Sequence, residues 1–308
     1  MLFIYGLLVL MVFLWSFSFV LVDIAVEFIP PTSLALTRFL LASLSFLIVD
    51  LYLFIRRRQK GQETSKTAER SSYTKMDWIY LGIASFSGTS FFFAIQYAAI
   101  ELIGPSLPAL FVCLLAPVLI TVLAVVFFNE RLTKLKIMGY VIATVGGFLL
   151  VTGGDLRTLT PETPNFLGYL FALITPFLWA IYTISTKKIS KSKSNITSLK
   201  YIAYFGTLEL FIFVFFKGEF LIFALNILNP FVLISGIYLG IGCYVLGYFI
   251  WQKSQNELKS SKGASFLYIE PFLTLIFSII LNRSETILIW NIVGGIIVLV
   301  AVIVINYK

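Results

Sequence analysis

The sequence predicts an all-helical integral membrane protein of ten transmembrane helices, arranged as two inverted five-helix repeats. Three observations carry that prediction. The 308 residues are 59% hydrophobic and only 12% charged, with a mean hydropathy of +0.96, far above the globular average. The apolar residues fall into ten stretches, each near the roughly 20 residues that cross a bilayer. The stretches form two groups of five that echo each other, and a repeat with an odd number of spans must insert its second copy upside down.

In chain order the expected spans lie near Phe3–Val22, Thr32–Ile55, Asp77–Ala99, Ser106–Phe128, Leu135–Thr152, Phe166–Thr186, Ser198–Phe216, Phe231–Trp251, Ala264–Asn282 and Leu288–Asn306. The first is expected to be retained: no Lys or Arg precedes its apolar core, and Asp23 and Glu27 follow it where a cleavage site needs small residues. The connections are short except for the charged, Ser/Thr-rich stretch from Arg56 to Met76, which is expected to be mobile.

The net charge of +8 is informative through its placement. With the N-terminus inside, the inner connections hold 19 of the 23 basic residues, among them Arg56, Lys134, Lys136, Lys187, Lys259 and Lys262. The outer connections hold Arg157, Lys217 and Arg283, and Arg38 alone lies inside a span. Positive charge in cytoplasmic loops orients membrane helices, so this bias predicts a multi-pass cell-membrane protein with both termini cytoplasmic. The basic clusters then read as orientation signals rather than a nucleic-acid surface.

The repeat is visible in residues. Phe13-Leu14-Trp15 returns as Phe177-Leu178-Trp179, Phe93 and Gln96 return as Phe249 and Gln252, and Ala116-Pro117 returns as Glu270-Pro271. Glu130 with Gly139 matches Glu285 with Gly294. The matches keep their order on corresponding spans, which predicts a duplication dividing the chain into 1–154 and 155–308.

These residues resemble the paired EamA-type repeats of the drug/metabolite transporter superfamily. The resemblance rests on Trp15-Ser16-Phe17-Ser18-Phe19 opening the repeat, Arg38 in the second helix, Pro117 and Pro271 within the fourth helix of each repeat, and Glu130 and Glu285 closing it. The second half departs from the pattern: Ala180 follows Trp179, and no Arg stands opposite Arg38. The resemblance implies import or efflux of a small metabolite through a central cavity, without naming the cargo.

Ionisable residues at membrane depth cost on the order of 2.5–3.5 kcal/mol each on insertion scales, so each asks for a reason. Glu270 precedes Pro271, and Thr274 and Ser278 follow one and two turns on, which puts three polar side chains on one helical face. Such a face suits a wet interior, where Glu270 would bind a cationic group or a proton; the alternative is a neutral carboxyl bonded to backbone freed by the proline. Glu209, in span seven after Gly206, is a second candidate for coupling or a structural partner of another helix. Arg38 reads as an anion clamp, as a partner for a carboxylate such as Glu209, or as a side chain reaching the headgroups. Trp15, Gln96, Tyr97, Trp179, Tyr182, Tyr244, Tyr248 and Tyr268 are candidate cavity walls, suited to amino-acid-like, aromatic or cationic cargo. Pro117 and Pro271 are candidate gating bends, or static kinks that shape the bundle. Cys113 and Cys243, both within spans, read as small packing residues.

The chain has no histidine, which removes the commonest general base and metal ligand. No phosphate-binding loop appears, and no cofactor is expected. A secondary transporter working by alternating access is the expected function, with proton coupling, uniport and exchange all open. A membrane scaffold or assembly subunit is the alternative, and an intramembrane enzyme using Glu270 a more remote one.

Overall fold

A computed structural model describes residues 2–59, 73–130, 132–152, 166–283 and 289–306. Every regular element among them is helical. The helices are α1 (Leu2–Ala25), α2 (Pro31–Gln59), α3 (Lys75–Ile103), α4 (Ser106–Phe128) and α5 (Lys134–Thr152). After them come α6 (Phe166–Ile189), α7 (Asn195–Phe216), α8 (Pro230–Glu257), α9 (Ser260–Ile280) and α10 (Ile289–Asn306). A short helix, Phe220–Asn226, lies in the connection before α8, where the sequence suggested a plain link.

Eight of these helices are long and apolar enough to cross a membrane, and Ile292–Asn306 is a shorter apolar stretch within α10. Helix α5 packs along α10. Large apolar side chains such as Leu47, Ile48, Phe216, Ile234 and Ile303 point outward. Exposed apolar surface on this scale is that of a chain covered by lipid. Lys60, Lys66, Arg70, Arg131, Gly153, Gly154, Arg157, Glu285 and Lys308, as well as most of the connection between α2 and α3, lie outside the described residues.

The packing has the symmetry that the repeat implies. Helix α1 packs on α9, and its equivalent α6 packs on α4; α3 packs on α6, and α8 on α1; α3 packs on α7, and α8 on α2. The pairs α2 with α7 and α5 with α10 map onto themselves. Exchanging the halves therefore maps these contacts onto one another.

The third helix of each half departs from α geometry at the same place. Phe86–Ser90 in α3 and Tyr238–Tyr248 in α8 are π-helical, and the register that matches Phe93 with Phe249 lays the first segment inside the second. A π turn interrupts the i→i+4 ladder, and side chains take up carbonyls in both segments. Tyr248 donates its hydroxyl to the Gly88 carbonyl at 2.7 Å, and Trp15 donates its indole N–H to the Cys243 carbonyl at 3.0 Å.

Small residues set the closest approaches, as membrane packing requires. A Cβ at Gly240 would lie 2.5 Å from the Arg38 carbonyl oxygen and 3.2 Å from the Ala42 nitrogen, backbone atoms that cannot swing aside. Gly240→Ala is therefore expected to push α8 off α2 and destabilise the fold by about 1–3 kcal/mol. Thermal unfolding in detergent measures it; an unchanged midpoint would contradict this packing.

Candidate functional site

The aromatic residues that open each repeat meet at the centre. Trp15 of α1 and Trp179 of α6 stand edge to face, ring centroids 5.3 Å apart at 88°. Tyr248 packs against both rings, and Trp251 leans on both from α8. Around them lies a cavity of about 40 Å³, lined from both halves by residues that include Trp15, Ser18, Arg38, Phe93, Gln96, Trp179, Tyr248 and Glu270. A smaller void of about 10 Å³ continues from Ser18 and Gln96 past Tyr97 to Val22 and Ile100. Pockets that enclose small organic ligands are roughly 300–1,000 Å³, so the walls here are closed on one another.

Two ionisable side chains enter this cavity without meeting. Arg38 is 2% exposed, and its guanidinium lies 3.9 Å from the Phe93 ring centroid and donates to the Tyr97 hydroxyl at 2.9 Å. Its Nε has no hydrogen-bond partner, and no described carboxylate lies within ion-pairing distance. Glu270 is also 2% exposed; its Oε2 accepts from the Cys113 thiol at 2.8 Å, and its Oε1 has no partner. A 3-10 turn over Ser265–Ile269 delivers Glu270 to the first turn of the α-helix that follows, with Pro271 next to it.

The sequence-based candidates separate into groups. Trp15, Arg38, Gln96, Trp179, Tyr248 and Glu270 line the central cavity, and Tyr97 lines the void beside it. Tyr182 backs the wall, stacked on Trp179 with its hydroxyl accepting from Gln252. Tyr244 is buried away from the cavity, donating to the Leu199 carbonyl. Tyr268 points to the Leu114 carbonyl at 3.4 Å and packs near Tyr140. Thr274 donates to the Ser16 carbonyl, joining α9 to α1. Pro117 is buried in mid α4 and Pro271 in the first turn after the 3-10 segment.

Arg38 does not reach the headgroups, because it is buried, and it does not pair with Glu209. Glu209 instead accepts hydrogen bonds from Ser85 at 3.0 Å and from Ser90, the residues that bracket the π turn of α3. The sequence reading missed Phe93, the platform under Arg38, and Ser18; Phe93 precedes Gln96 by one helical turn, which was a usable signal. It also assigned Cys113 to packing alone, whereas its thiol meets Glu270.

Residues 2–152 and 166–307 each match the EamA-like transporter family. The chain belongs to the EamA-like transporter family. As an EamA-type member of the drug/metabolite transporter superfamily it is a multi-pass membrane protein of transporter type. An uncharacterized transporter of Archaeoglobus fulgidus is 27% identical over 303 residues, covering 96% of this chain and 94% of its own. The uncharacterized transporter YyaM of Bacillus subtilis is 24% identical, covering 93% and 88%. A solved crystal structure at 16% identity has a TM-score of 0.66 over 97% of this chain and 95% of its own, a likeness of fold alone.

At one end of this EamA-type bundle a polar cluster joins the end of α4 to α5, α6 and α9. Lys187 donates to Glu130 at 2.8 Å, the Ser260 amide donates to the same carboxylate oxygen at 3.0 Å, and Lys136 reaches Ser261 at 2.6 Å. Burial pushes the Glu130 carboxyl up, but the bonds from Lys187 and Ser260 outweigh it and hold the group below its ordinary range. A carboxyl depressed on folding stabilises the fold above its unfolded value of about 4.3 and loses that contribution as pH falls through the folded value. Melting midpoints followed downward from pH 6 should fall as Glu130 protonates, and Glu130→Gln should flatten that part of the profile; profiles of equal slope would contradict it.

Proposed function

We propose that the protein is a secondary transporter that moves a small organic metabolite across the cell membrane by alternating access. In this reading ten spans form two inverted five-helix halves, residues 1–154 and 155–308, with both termini cytoplasmic. The observation that carries it is the central cavity, lined from both halves and holding one basic and one acidic side chain that form no ion pair. Arg38 takes an anionic group of the cargo, and Glu270 takes a cationic group or a proton. The faces of Trp15, Phe93, Trp179 and Tyr248 hold the body between them. An amino-acid-like or aromatic solute with a charged group fits this arrangement.

The closed walls imply that cargo enters only when one half moves against the other, with Pro117 and Pro271 as the bends that open the bundle. Glu270 is the coupling group if protons drive the cycle, and Glu209, held by its two serines, is the second candidate. A thermal-shift screen of amino acids, nucleosides, sugars and cationic drugs should find a ligand that stabilises the folded state in proportion to its occupancy. That ligand should then show saturable counterflow in liposomes containing the purified protein. Turnover without a gradient would instead make the protein an enzyme, and neither behaviour would leave a membrane scaffold.

A further inference from the structure

Two ion pairs at opposite ends of the bundle are the same contact with its charges exchanged. Helix α4 ends at Phe128, and Asn129 turns the chain with a left-handed φ of 53°. The next residue, Glu130, accepts from Lys187 in the last turn of α6. Helix α9 ends near Ile280, and Asn282 turns the chain with the same φ of 53°. The next residue, Arg283, donates through Nε to Asp23 at 2.6 Å, near the end of α1, and through its terminal nitrogen to Glu27 at 2.7 Å. Asp23 and Lys187 are separated by the same 164 positions as Trp15 and Trp179. The left-handed asparagines and the charged residues after them also share one spacing. In one pair the acid follows the fourth helix of the first half and the base ends the first helix of the second; in the other pair the base follows the fourth helix of the second half and the acid ends the first helix of the first.

Each pair joins one half of the chain to the other. Glu130 belongs to the first half and Lys187 to the second; Asp23 belongs to the first and Arg283 to the second. Their side chains are between 11% and 27% exposed, so the pairs are less screened than surface ion pairs. Both pairs are formed in this structure, in which the central cavity is about 40 Å³. A movement that draws the halves apart at one end of the bundle parts the ends of α4 and α6, and at the other end those of α1 and α9.

We propose that Glu130–Lys187 and Asp23–Arg283 are paired latches, one on each mouth of the central cavity, which break in alternation to open it to one side at a time. This rests on the carrier reading above. Equivalent latches of similar construction keep the two open states close in free energy, which lets a modest difference in cargo affinity move the population between them. The latches, rather than the proline bends, then set which mouth opens.

The labelling arm of the test needs no cargo. Cys113→Ser and Cys243→Ser remove both native thiols, and Ser18→Cys places one on the cavity wall, where Ser18 borders both voids. A charged, membrane-impermeant maleimide is applied to one face or the other of oriented vesicles. Lys187→Met and Arg283→Met remove each cation while keeping a stem of similar reach. Each is expected to raise labelling by roughly fivefold to tenfold, the population shift that loss of a partly buried ion pair gives. The faces must be opposite: the Lys187 variant labels from the inner side, the Arg283 variant from the outer. The charge exchanges Glu130→Lys with Lys187→Glu, and Asp23→Arg with Arg283→Asp, should return labelling to the parental rate. They also decide the matter if a neutral variant does not fold, since an exchanged pair that folds yet leaves its own mouth open overturns the proposal. So do two neutral variants that label from one face, or folded variants that label no faster than the parent. Absent counterflow by the parental protein, with the ligand found in the thermal-shift screen, alongside intact one-sided labelling would refute carriage and leave the latches standing; normal parental counterflow with labelling blind to the latches refutes the latches alone.

Discussion

Arg38→Met is expected to abolish cargo binding without lowering the melting point of the empty protein. The guanidinium is buried with a ring face and a hydroxyl as its neighbours and its Nε unpartnered. A ring face returns only about 0.5–2 kcal/mol to a cation, less than a buried charge without a counter-ion costs. Methionine keeps the length of the stem and removes the charge, so the bundle should melt at the same temperature or higher. An anionic cargo group would lose its partner, a loss of about 2–5 kcal/mol in comparable buried pairs, or roughly thirtyfold and more in affinity. Thermal unfolding with and without the ligand found in the screen reads both quantities together. A lower melting point with an undiminished ligand shift would make Arg38 a structural residue and contradict the role given to it.

Glu270→Gln should separate folding from coupling. Glutamine has nearly the same shape and can still accept from the Cys113 thiol through its carbonyl oxygen, so packing between α4 and α9 is kept. What it cannot do is carry and release a proton, or meet a cationic group with a full charge. Uptake driven by a pH gradient should fall to background, while the melting point stays near that of the parent. Exchange of cargo against cargo, which needs no net proton movement, should persist if the carboxyl serves only coupling, and vanish if it also holds the cargo. Normal pH-dependent uptake by the glutamine variant would remove Glu270 from the mechanism.

Much of the architecture was legible because membrane insertion writes it into composition and period. The apolar stretches located the helices to within a few residues, and Phe13-Leu14-Trp15 with its echo pointed to two residues that line the central cavity. Trp15 and Trp179 stand face to edge at the centre because a duplication packs equivalent helices about a shared axis. Side-chain direction was harder to read. With 31 Phe and 15 Tyr in the chain, Tyr244 and Tyr268 were indistinguishable from Tyr248, and Phe93 was hidden among its neighbours; only packing sorts a wall from a filler. The partners of Glu209 depended on a π turn in α3 that brings Ser85 and Ser90 to one carboxylate, and no spacing in the sequence announces such a turn. Lys187 was legible as an orientation signal, yet its contact with Glu130 joins helix ends 57 positions apart, which the bundle alone brings together.

The ion pairs add a lesson about duplicated chains. Sequence matching aligned Glu130 with Glu285, residue type with like type. Glu130 and Arg283 each stand directly after a left-handed asparagine. Glu285 lies outside the described residues, and Glu130 and Arg283 share a local geometry that residue type alone does not announce.

At the root of the account is an antiparallel pair of five-helix halves, and the sidedness of the two chain ends tests it most directly. A reporter that fluoresces only in the cytoplasm and one that is active only outside can be fused in turn to each terminus of the full chain. Fluorescence from both fusions at both ends, with no external activity from either, is the predicted result. Termini reporting from opposite compartments would require an odd number of crossings and would contradict the inverted halves, the shared cavity and the alternation built on them.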